Sequence, residues 1–214
     1  NKKLIQKDLA KTLSIISSEG KKGFYEGEVA QKIANEMASN GGLISIDDLK
    51  NYVAVWREPL SSDYRGNKII TMGPPSSGGV HIIQMLNILE NYKLDKFEHN
   101  SSEYINLLTE VMKHAYADRS KYLGDPDFYQ VPIKKITNPD YANEIFNSIK
   151  IGSSIPSKNI YPGMYLKDES LETTHFSVAD KNGNVVSSTY TLNSTFGSGV
   201  VIKGTGIIMN NEMD

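Results

Sequence analysis

The sequence contains no cysteine, a single tryptophan and no long apolar run. The lack of cysteine excludes disulfide bonds, thiolate catalysis and zinc sites built on sulfur. A membrane-spanning helix needs roughly 20 consecutive apolar residues, and the sequence has no such stretch. The cellular compartment stays open, because exported bacterial proteins also often lack cysteine.

An excess of either charge is missing as well. The 214 residues include 23 Lys plus Arg and 25 Asp plus Glu, for a formal net charge of -2. This balance gives no reason to propose a nucleic acid or an anionic membrane surface as a partner, whereas a small polar ligand stays possible. The length fits one domain, or two closely packed layers, better than a string of modules. The chain begins at Asn1 without an initiator methionine or an apolar signal region and stops at Asp214, so we expect a piece of a longer protein.

Hydrophobic periodicity predicts helices in the first part of the chain. Two apolar stripes with helical spacing are expected to face a core: Leu4, Ile5, Leu9, Leu13 and Ile16, and then Val29, Ala30, Ile33, Ala34 and Met37. Ser45 and Asp48 have the spacing of a capping box that opens a short third helix. Residues 67–72 have strand composition, and the Gly- and Pro-rich loop 73–79 separates them from another helical pattern.

The longest predicted helix runs from Ser102 to about Leu123. Its expected apolar stripe consists of Ile105, Leu108, Met112, Ala115, Tyr116, Arg119 and Tyr122. Residues 151–172 hold no sustained periodicity and are interpreted as a mobile loop.

The last part of the chain has strand composition. Residues 174–179 and 185–192 predict a β-hairpin around a turn at 180–184, and residues 199–202 and 206–209 are further strand candidates. Helices followed by antiparallel strands indicate an α+β fold.

Hydroxyl residues flank a histidine where the predicted loop meets the predicted hairpin. Thr173 is placed where a loop could be cut and a new chain end left against a sheet. Taken alone this pattern is weak, because threonine is a favoured strand residue.

Longer motifs surround these residues. The run Thr173-Thr-His-Phe-Ser-Val178 is followed by Gly183-Asn-Val-Val-Ser187, Thr189-Tyr-Thr-Leu-Asn193 and Phe196-Gly197. Upstream come Gly23-Phe-Tyr-Glu-Gly27, Gly41-Gly-Leu-Ile-Ser-Ile-Asp-Asp-Leu49, Pro74-Pro-Ser-Ser-Gly-Gly79 and Ala117-Asp-Arg119, and the chain ends with Gly206-Ile-Ile-Met-Asn-Asn-Glu-Met-Asp214. In this order the motifs resemble the γ-glutamyltransferase (γ-glutamyl transpeptidase) family over nearly the whole chain.

The resemblance implies the four-layer αββα sandwich of N-terminal-nucleophile hydrolases, of which this chain would hold a helical layer and part of the antiparallel sheets. It also implies self-cleavage of the Glu172–Thr173 bond. Residues 1–172 would then be the C-terminal part of a large subunit, and residues 173–214 the N-terminal part of a small subunit that stays bound to it. The new α-amino group of Thr173 would serve as the base for its own hydroxyl. With a reference pKa of about 7.7–8.0, this amine is partly neutral near pH 7 and can take a proton.

The resemblance assigns further roles position by position. The Thr191 hydroxyl would bond Thr173 and hold it for attack, whereas a strand threonine in a cross-strand pair is the structural alternative. Asn193 and Glu212 match positions that bind the α-amino group of the γ-glutamyl donor, and Asp214, also assigned to substrate binding, matches the first of two aspartates in the family's pocket. The family's second aspartate would be residue 215, and other parts of the family's pocket lie outside residues 1–214. We therefore expect this piece to be inactive alone.

Other reactive side chains are interpreted as structural. His175 lacks a well-placed acid for a triad, and the resemblance makes Asp118 and Arg119, near His114, an internal ion pair. The loop 74–79 lacks the lysine of a phosphate loop and is interpreted as a packing turn near the pocket. We expect no metal and no cofactor.

The predicted function is γ-glutamyl transfer or hydrolysis on glutathione and related amides through an ester on Thr173. The predicted partners are γ-glutamyl small molecules and the remainder of the precursor. A relative acting on poly-γ-glutamate or a β-lactam acyl side chain stays open, as does a catalytically incompetent homologue that serves as a binding partner. The resemblance implies a periplasmic or secreted location.

Overall fold

The computed structural model describes residues 3–160 and 173–212, and of residues 173–175 the backbone alone. The chain divides into two compact units. The first comprises Asn1–Val55 with Glu169–Asp214, and the second is Trp56–Asp168. This division does not test the predicted subunit boundary between residues 172 and 173, which stays a prediction. In the described ranges, no helix has both the length and the apolar character needed to cross a membrane.

The first unit combines helices with the last strands of the chain. Its helices are α1 (Lys7–Glu19), α2 (Lys21–Tyr25), α3 (Gly27–Ser39) and α4 (Ile46–Asn51), and its strands are β3 (Thr173–Ala179), β4 (Val185–Thr191), β5 (Val201–Ile202) and β6 (Ile207–Ile208). The α3 stripe is confirmed, since Val29, Ala30, Ile33 and Met37 pack with Leu49 and Ile202 in one core. The capping box is confirmed as well, with Asp48 N–H 3.2 Å from Ser45 Oγ and Ser45 N–H 2.8 Å from an Asp48 carboxylate oxygen.

The predicted inward face of α1 is wrong in part. Leu4 and Ile5 precede the helix, and they and Leu13 are exposed. Thr12 is buried instead, because its hydroxyl donates to the Thr205 carbonyl oxygen at 2.8 Å. The helix is therefore rotated toward a polar partner that the apolar pattern does not indicate.

The second unit is a hairpin with helices. It holds β1 (Leu60–Tyr64), β2 (Asn67–Thr71), α5 (Ser77–Leu89), α6 (Ser102–Tyr122), α7 (Ile133–Ile136) and α8 (Pro139–Ser148), with short 3₁₀ turns at Leu94–Lys96 and Ser157–Asn159. Ile88, Leu107, Val111, Ala142 and Ile145 are among its core residues. The predicted β2, loop and α5 are confirmed. β1 was not predicted, although Arg65 and Gly66, at φ 49° and 78°, make the tight turn of a two-residue hairpin.

The extent of α6 is confirmed, and its predicted apolar stripe is wrong in part: Ala115 is buried and Leu108 packs against the core. Ile105 and Met112 are exposed, whereas the buried positions are Leu107, Glu110, Val111, Ala115, Ala117 and Asp118. The predicted ion pair between Asp118 and Arg119 is also wrong. Adjacent residues on a helix point in different directions: the Asp118 carboxylate accepts hydrogen bonds from Gln84 and Tyr141, and Arg119 donates to Ser77 Oγ at 3.0 Å.

The predicted hairpin near the end of the chain is confirmed. β3 and β4 pair antiparallel, and β5 and β6 form a second antiparallel pair. Much of the loop predicted at 151–172 lies outside the described residues, and residues 157–159 within it form one of the 3₁₀ turns.

Candidate active site

The turn of the β3–β4 hairpin determines which residues face each other across the two strands. The Asp180 carboxylate accepts hydrogen bonds from the backbone N–H groups of Asn182 and Asn184, at 2.8 and 2.9 Å. The Asn184 side-chain amide also donates to this carboxylate, at 2.8 Å, and together with the backbone bonds it holds the pKa of Asp180 below its usual value. A closed turn with a defined number of residues fixes strand register. The pairing accordingly runs from Ala179 opposite Val185 to Thr173 opposite Thr191.

The register places the two predicted catalytic threonines directly opposite each other. Residues 173 and 191 are a cross-strand pair, and side chains at directly opposite positions of an antiparallel ladder project from the same face. The predicted pairing of these strands is confirmed at the level of the backbone. The side chains of Thr173 and His175, and the whole of Glu172, lie outside the described part of the chain.

A tight turn follows Thr191 and orients Asn193. The backbone N–H of Asn193 donates to Thr191 Oγ1 at 2.9 Å, and Asn193 adopts a φ of 73°. Asparagine tolerates this left-handed conformation better than other residues with a β-carbon, apart from aspartate. A threonine hydroxyl that accepts an N–H bond still has its own proton to donate. The turn therefore leaves Thr191 chemically able to donate toward a second oxygen.

The segment that carries Glu212 is bonded to this turn. Ser194 N–H donates to Asn211 Oδ1 at 3.0 Å, Asn211 Nδ2 donates to Ser194 Oγ at 3.0 Å, and Asn211 N–H donates to the Leu192 carbonyl at 3.2 Å. Glu212 follows directly, and its N–H donates to Asn210 Oδ1 at 2.9 Å. The structure thus brings the neighbourhoods of Asn193 and Glu212 together, while Asp214 lies outside the described residues.

A close backbone approach explains Gly197 in this turn. Its φ is 54°, and a β-carbon built on it would lie 2.2 Å from the Met209 carbonyl oxygen. The adjacent Ser198 N–H donates to that same oxygen at 3.0 Å. Only glycine fits such an approach, so Gly197 allows the turn to lie against the Met209 backbone.

Helices α1 and α3 hold the β5–β6 connection. Thr12 Oγ1 bonds the carbonyl of the buried Thr205, and Lys32 Nζ donates to the Gly204 carbonyl at 3.1 Å. Lys32 also pairs with Glu28 at 2.7 Å. Together with Lys11, Lys32 lowers the pKa of Glu28 to about 2. These contacts position β6, and through it the segment 209–212, on the helices.

The remaining reactive residues are built into packing or turns. Burial lowers the pKa of His114, and its Nε2 has no hydrogen-bond partner in the described structure. Burial raises the pKa of Asp118, against the opposing hydrogen bonds from Tyr141 and Gln84. Within residues 3–160 and 173–212, His, Asp and Glu form no group of three that could hold a metal ion.

Asn211 is the residue of this site that the sequence did not single out. Its partner Ser194 lies 17 positions earlier in the chain. No local periodicity connects positions at that separation, and the only available signal is the asparagine pair at 210–211 inside the last motif.

The family model described as Gamma-glutamyltranspeptidase matches residues 1–214. A relative named glutathione hydrolase proenzyme, from Escherichia coli (strain K12), is 51% identical over 211 residues, which cover 99% of this chain and 36% of the relative. This chain therefore spans little more than a third of that relative's length.

The solved structures that are similar to this chain include two enzymes. The gamma-glutamyltranspeptidase of Helicobacter pylori matches with a TM-score of 0.69 and 50% identity, covering 75% of this chain and 46% of that one. A cephalosporin acylase from Bacillus halodurans matches with a TM-score of 0.77 and 28% identity, covering 96% of this chain and 36% of that one.

These similarities confirm the predicted class, an α+β N-terminal-nucleophile hydrolase fold of which this chain forms a part. The chain belongs to the gamma-glutamyltranspeptidase family.

Proposed function

We propose that the intact protein is a self-processing γ-glutamyl transferase and hydrolase. Its donors are glutathione and related γ-glutamyl amides, and its acceptors are amino acids, peptides or water. The family match and the 51% identity to a glutathione hydrolase proenzyme support this assignment. The single structural observation that carries it is the pairing of Thr173 opposite Thr191.

Thr173 is the proposed nucleophile for both processing and catalysis. In processing, its hydroxyl oxygen attacks the Glu172 carbonyl carbon, and the acyl group moves from nitrogen to oxygen. Water then hydrolyses the resulting ester, which frees the Glu172 carboxylate and the Thr173 α-amino group. That amine, with a reference pKa of about 7.7–8.0, is partly neutral near pH 7 and takes the proton of its own hydroxyl.

In turnover, the same hydroxyl attacks the γ-carbonyl of the donor and the amine leaves with a proton. The γ-glutamyl ester on Thr173 is released by an acceptor amine or by water. Thr191 is the proposed positioning residue, because its hydroxyl accepts the Asn193 N–H and retains a proton to donate toward the Thr173 oxygen.

Asn193, Glu212 and Asp214 are proposed to bind the donor. An α-ammonium group requires carboxylate or amide oxygens. The Asn211 hydrogen bonds support the roles of Asn193 and Glu212, since they link the two segments that carry these side chains.

The cleaved chains are proposed to stay associated as a large and a small subunit. α1 and α3 lie before residue 173 and β5–β6 after it, and the Thr12–Thr205 and Lys32–Gly204 hydrogen bonds join them. We further propose that the protein works in the periplasm or outside the cell, as the family resemblance implies.

A second candidate function is release of an acyl side chain from a β-lactam. The cephalosporin acylase similarity over 96% of this chain supports it. The presence of Glu212 and Asn193 favours a donor that carries an α-amino group. A comparison of γ-glutamyl and glutaryl amides separates the two functions, because the glutaryl group lacks that amine.

The test of processing is the intact mass, under denaturing conditions, of the full-length parent protein. Wild type is expected to give two chains divided between Glu172 and Thr173, and Thr173→Ala to give one uncut chain. Thr174→Ala is the matched control, which keeps the nucleophile and should still be cut. Thr173→Ser retains a hydroxyl and should also be cut, more slowly.

Two outcomes would contradict the proposal. An uncut wild type would move the incompetent-homologue interpretation to the front. Cleavage of Thr173→Ala at the same bond would show that another group, or a contaminating protease, performs the cut. If wild type is cut, hydrolysis of a γ-glutamyl anilide by wild type and not by Thr173→Ala extends the assignment from processing to turnover.

A further inference from the structure

Asn211 links the two segments that carry the candidate donor-binding residues Asn193 and Glu212. Its backbone N–H, amide oxygen and amide nitrogen are all used, and every partner lies at Leu192 or Ser194. Asn193 is the residue between these two partners. Glu212 is the residue that follows Asn211.

The bonds of Asn211 are therefore placed to set the separation between Asn193 and Glu212. The Thr173–Thr191 pairing does not depend on them, because the β3–β4 ladder and the Asp180 turn hold it from the other end of the hairpin. A change at Asn211 should move the donor-binding groups and leave the nucleophile in place.

We propose that Asn211 is a positioning residue that makes the site selective for an acyl donor carrying an α-amino group. This inference rests on the proposed function. Recognition of an ammonium needs acceptor oxygens that converge on it, and a single acceptor in a water-accessible site contributes little. Holding Asn193 and Glu212 at a constant separation turns two weak contacts into one site.

A purely structural role predicts a different result. An asparagine that only stabilised the turn would lower the activity on every donor by a similar factor. A positioning role lowers activity on donors with an α-amino group and spares donors without one. The ratio of kcat/KM for a γ-glutamyl anilide to that for the glutaryl anilide therefore separates the two roles.

The experiment compares full-length wild type with Asn211→Ala on these two anilides. We expect the ratio to fall about tenfold, which corresponds to about 1.4 kcal/mol, mainly through a higher KM for the γ-glutamyl donor. Cleavage at Glu172–Thr173 should be complete, as in wild type.

Three further variants sharpen the comparison. Ser194→Ala keeps the Ser194 N–H bond to Asn211 and loses the hydroxyl bond, so it should lower the ratio by a smaller factor. The double variant should be no worse than Asn211→Ala, because both substitutions remove the same link. Asn184→Ala is the matched control: its amide donates to Asp180 in the opposite turn, and its loss should leave the ratio unchanged.

Each outcome has one meaning. A wild type that is active but does not prefer the γ-glutamyl anilide contradicts the proposed function. A wild type with that preference and an Asn211→Ala variant that keeps the ratio contradicts the positioning role, even if both activities fall. If Asn211→Ala does not fold, Ser194→Ala decides: a lower ratio supports the inference and an unchanged ratio overturns it.

Discussion

Gly206→Ala is expected to destabilise the docking of the β5–β6 connection on α1. Gly206 has a φ of 71°, and a β-carbon on it would lie 2.7 Å from Leu9 N and 2.8 Å from Leu9 Cβ. Two separate costs follow from one methyl group. One is the left-handed backbone conformation, and the other is the clash with the α1 backbone.

The two costs can be sized separately. A left-handed conformation costs a residue with a β-carbon about 1–2 kcal/mol. An added carbon in a packed contact costs about 1–3 kcal/mol. Gly199 provides the matched control, because its φ is 72° and nothing lies within 4 Å of a β-carbon built there. Gly199→Ala should therefore carry the first cost alone and Gly206→Ala both, a difference of about 2 kcal/mol.

The assay is urea unfolding of the full-length protein in a Thr173→Ala background, which under the proposed processing keeps every variant as a single chain. Far-UV circular dichroism follows the loss of helix. With a slope of about 2 kcal/mol per molar urea, the Gly206→Ala midpoint should lie about 1 M below that of Gly199→Ala.

Equal midpoints for the two variants would refute the reasoning. That result would mean that the contact between residue 206 and α1 yields to a methyl group without cost, so α1 would not hold the segment leading to Glu212. A loss of stability in Gly199→Ala alone would point to strain from the backbone conformation only.

The remaining predictions concern the second unit. Lys113→Met should lower the free energy of unfolding by about 3 kcal/mol, because it leaves the fully buried Glu110 carboxylate without its ion-pair partner at 2.6 Å. The double variant with Glu110→Leu should recover much of this loss. If stability does not recover, the cost does not come from an unpaired charge. Burial, reinforced by Lys113 and opposed by Glu110, lowers the pKa of His114 below its ordinary 6.5. The folded state therefore favours neutral His114, and this contribution to stability is present above pH 6.5 and is lost as pH falls through the lowered pKa. His114→Leu should accordingly flatten the decline of Tm between about pH 7 and pH 5. An unchanged slope of Tm against pH would show that other groups cause the decline.

Local sequence determined much of the secondary structure. The α3 stripe, the Ser45–Asp48 capping box and the β3–β4 hairpin were all predictable, because each depends on residues only a few positions apart. Periodicity, capping and turn chemistry act at that range. The motif from Thr173 to Asn193 likewise indicated the candidate site.

Tertiary structure decided which faces are buried and which side chains meet. Thr12 is buried in place of Leu13 because of a hydrogen bond to Thr205, at a separation of 193 residues. The inward face of α6 is centred on Leu107 and Val111, because α5 and α8 pack there. No local pattern carries this information, since burial depends on the neighbours that the fold supplies.

The same distinction applies to the candidate site. The sequence by itself indicated which residues are the candidates for the chemistry: a threonine as nucleophile, a second threonine, an asparagine and a glutamate. Only the tertiary structure decided their arrangement, through the register that sets residue 173 opposite residue 191 and through the bonds of Asn211 to Leu192 and Ser194. The physical reason is that reactivity belongs to the individual side chain, whereas distance and direction between side chains come from hydrogen bonds and packing between segments far apart in the chain.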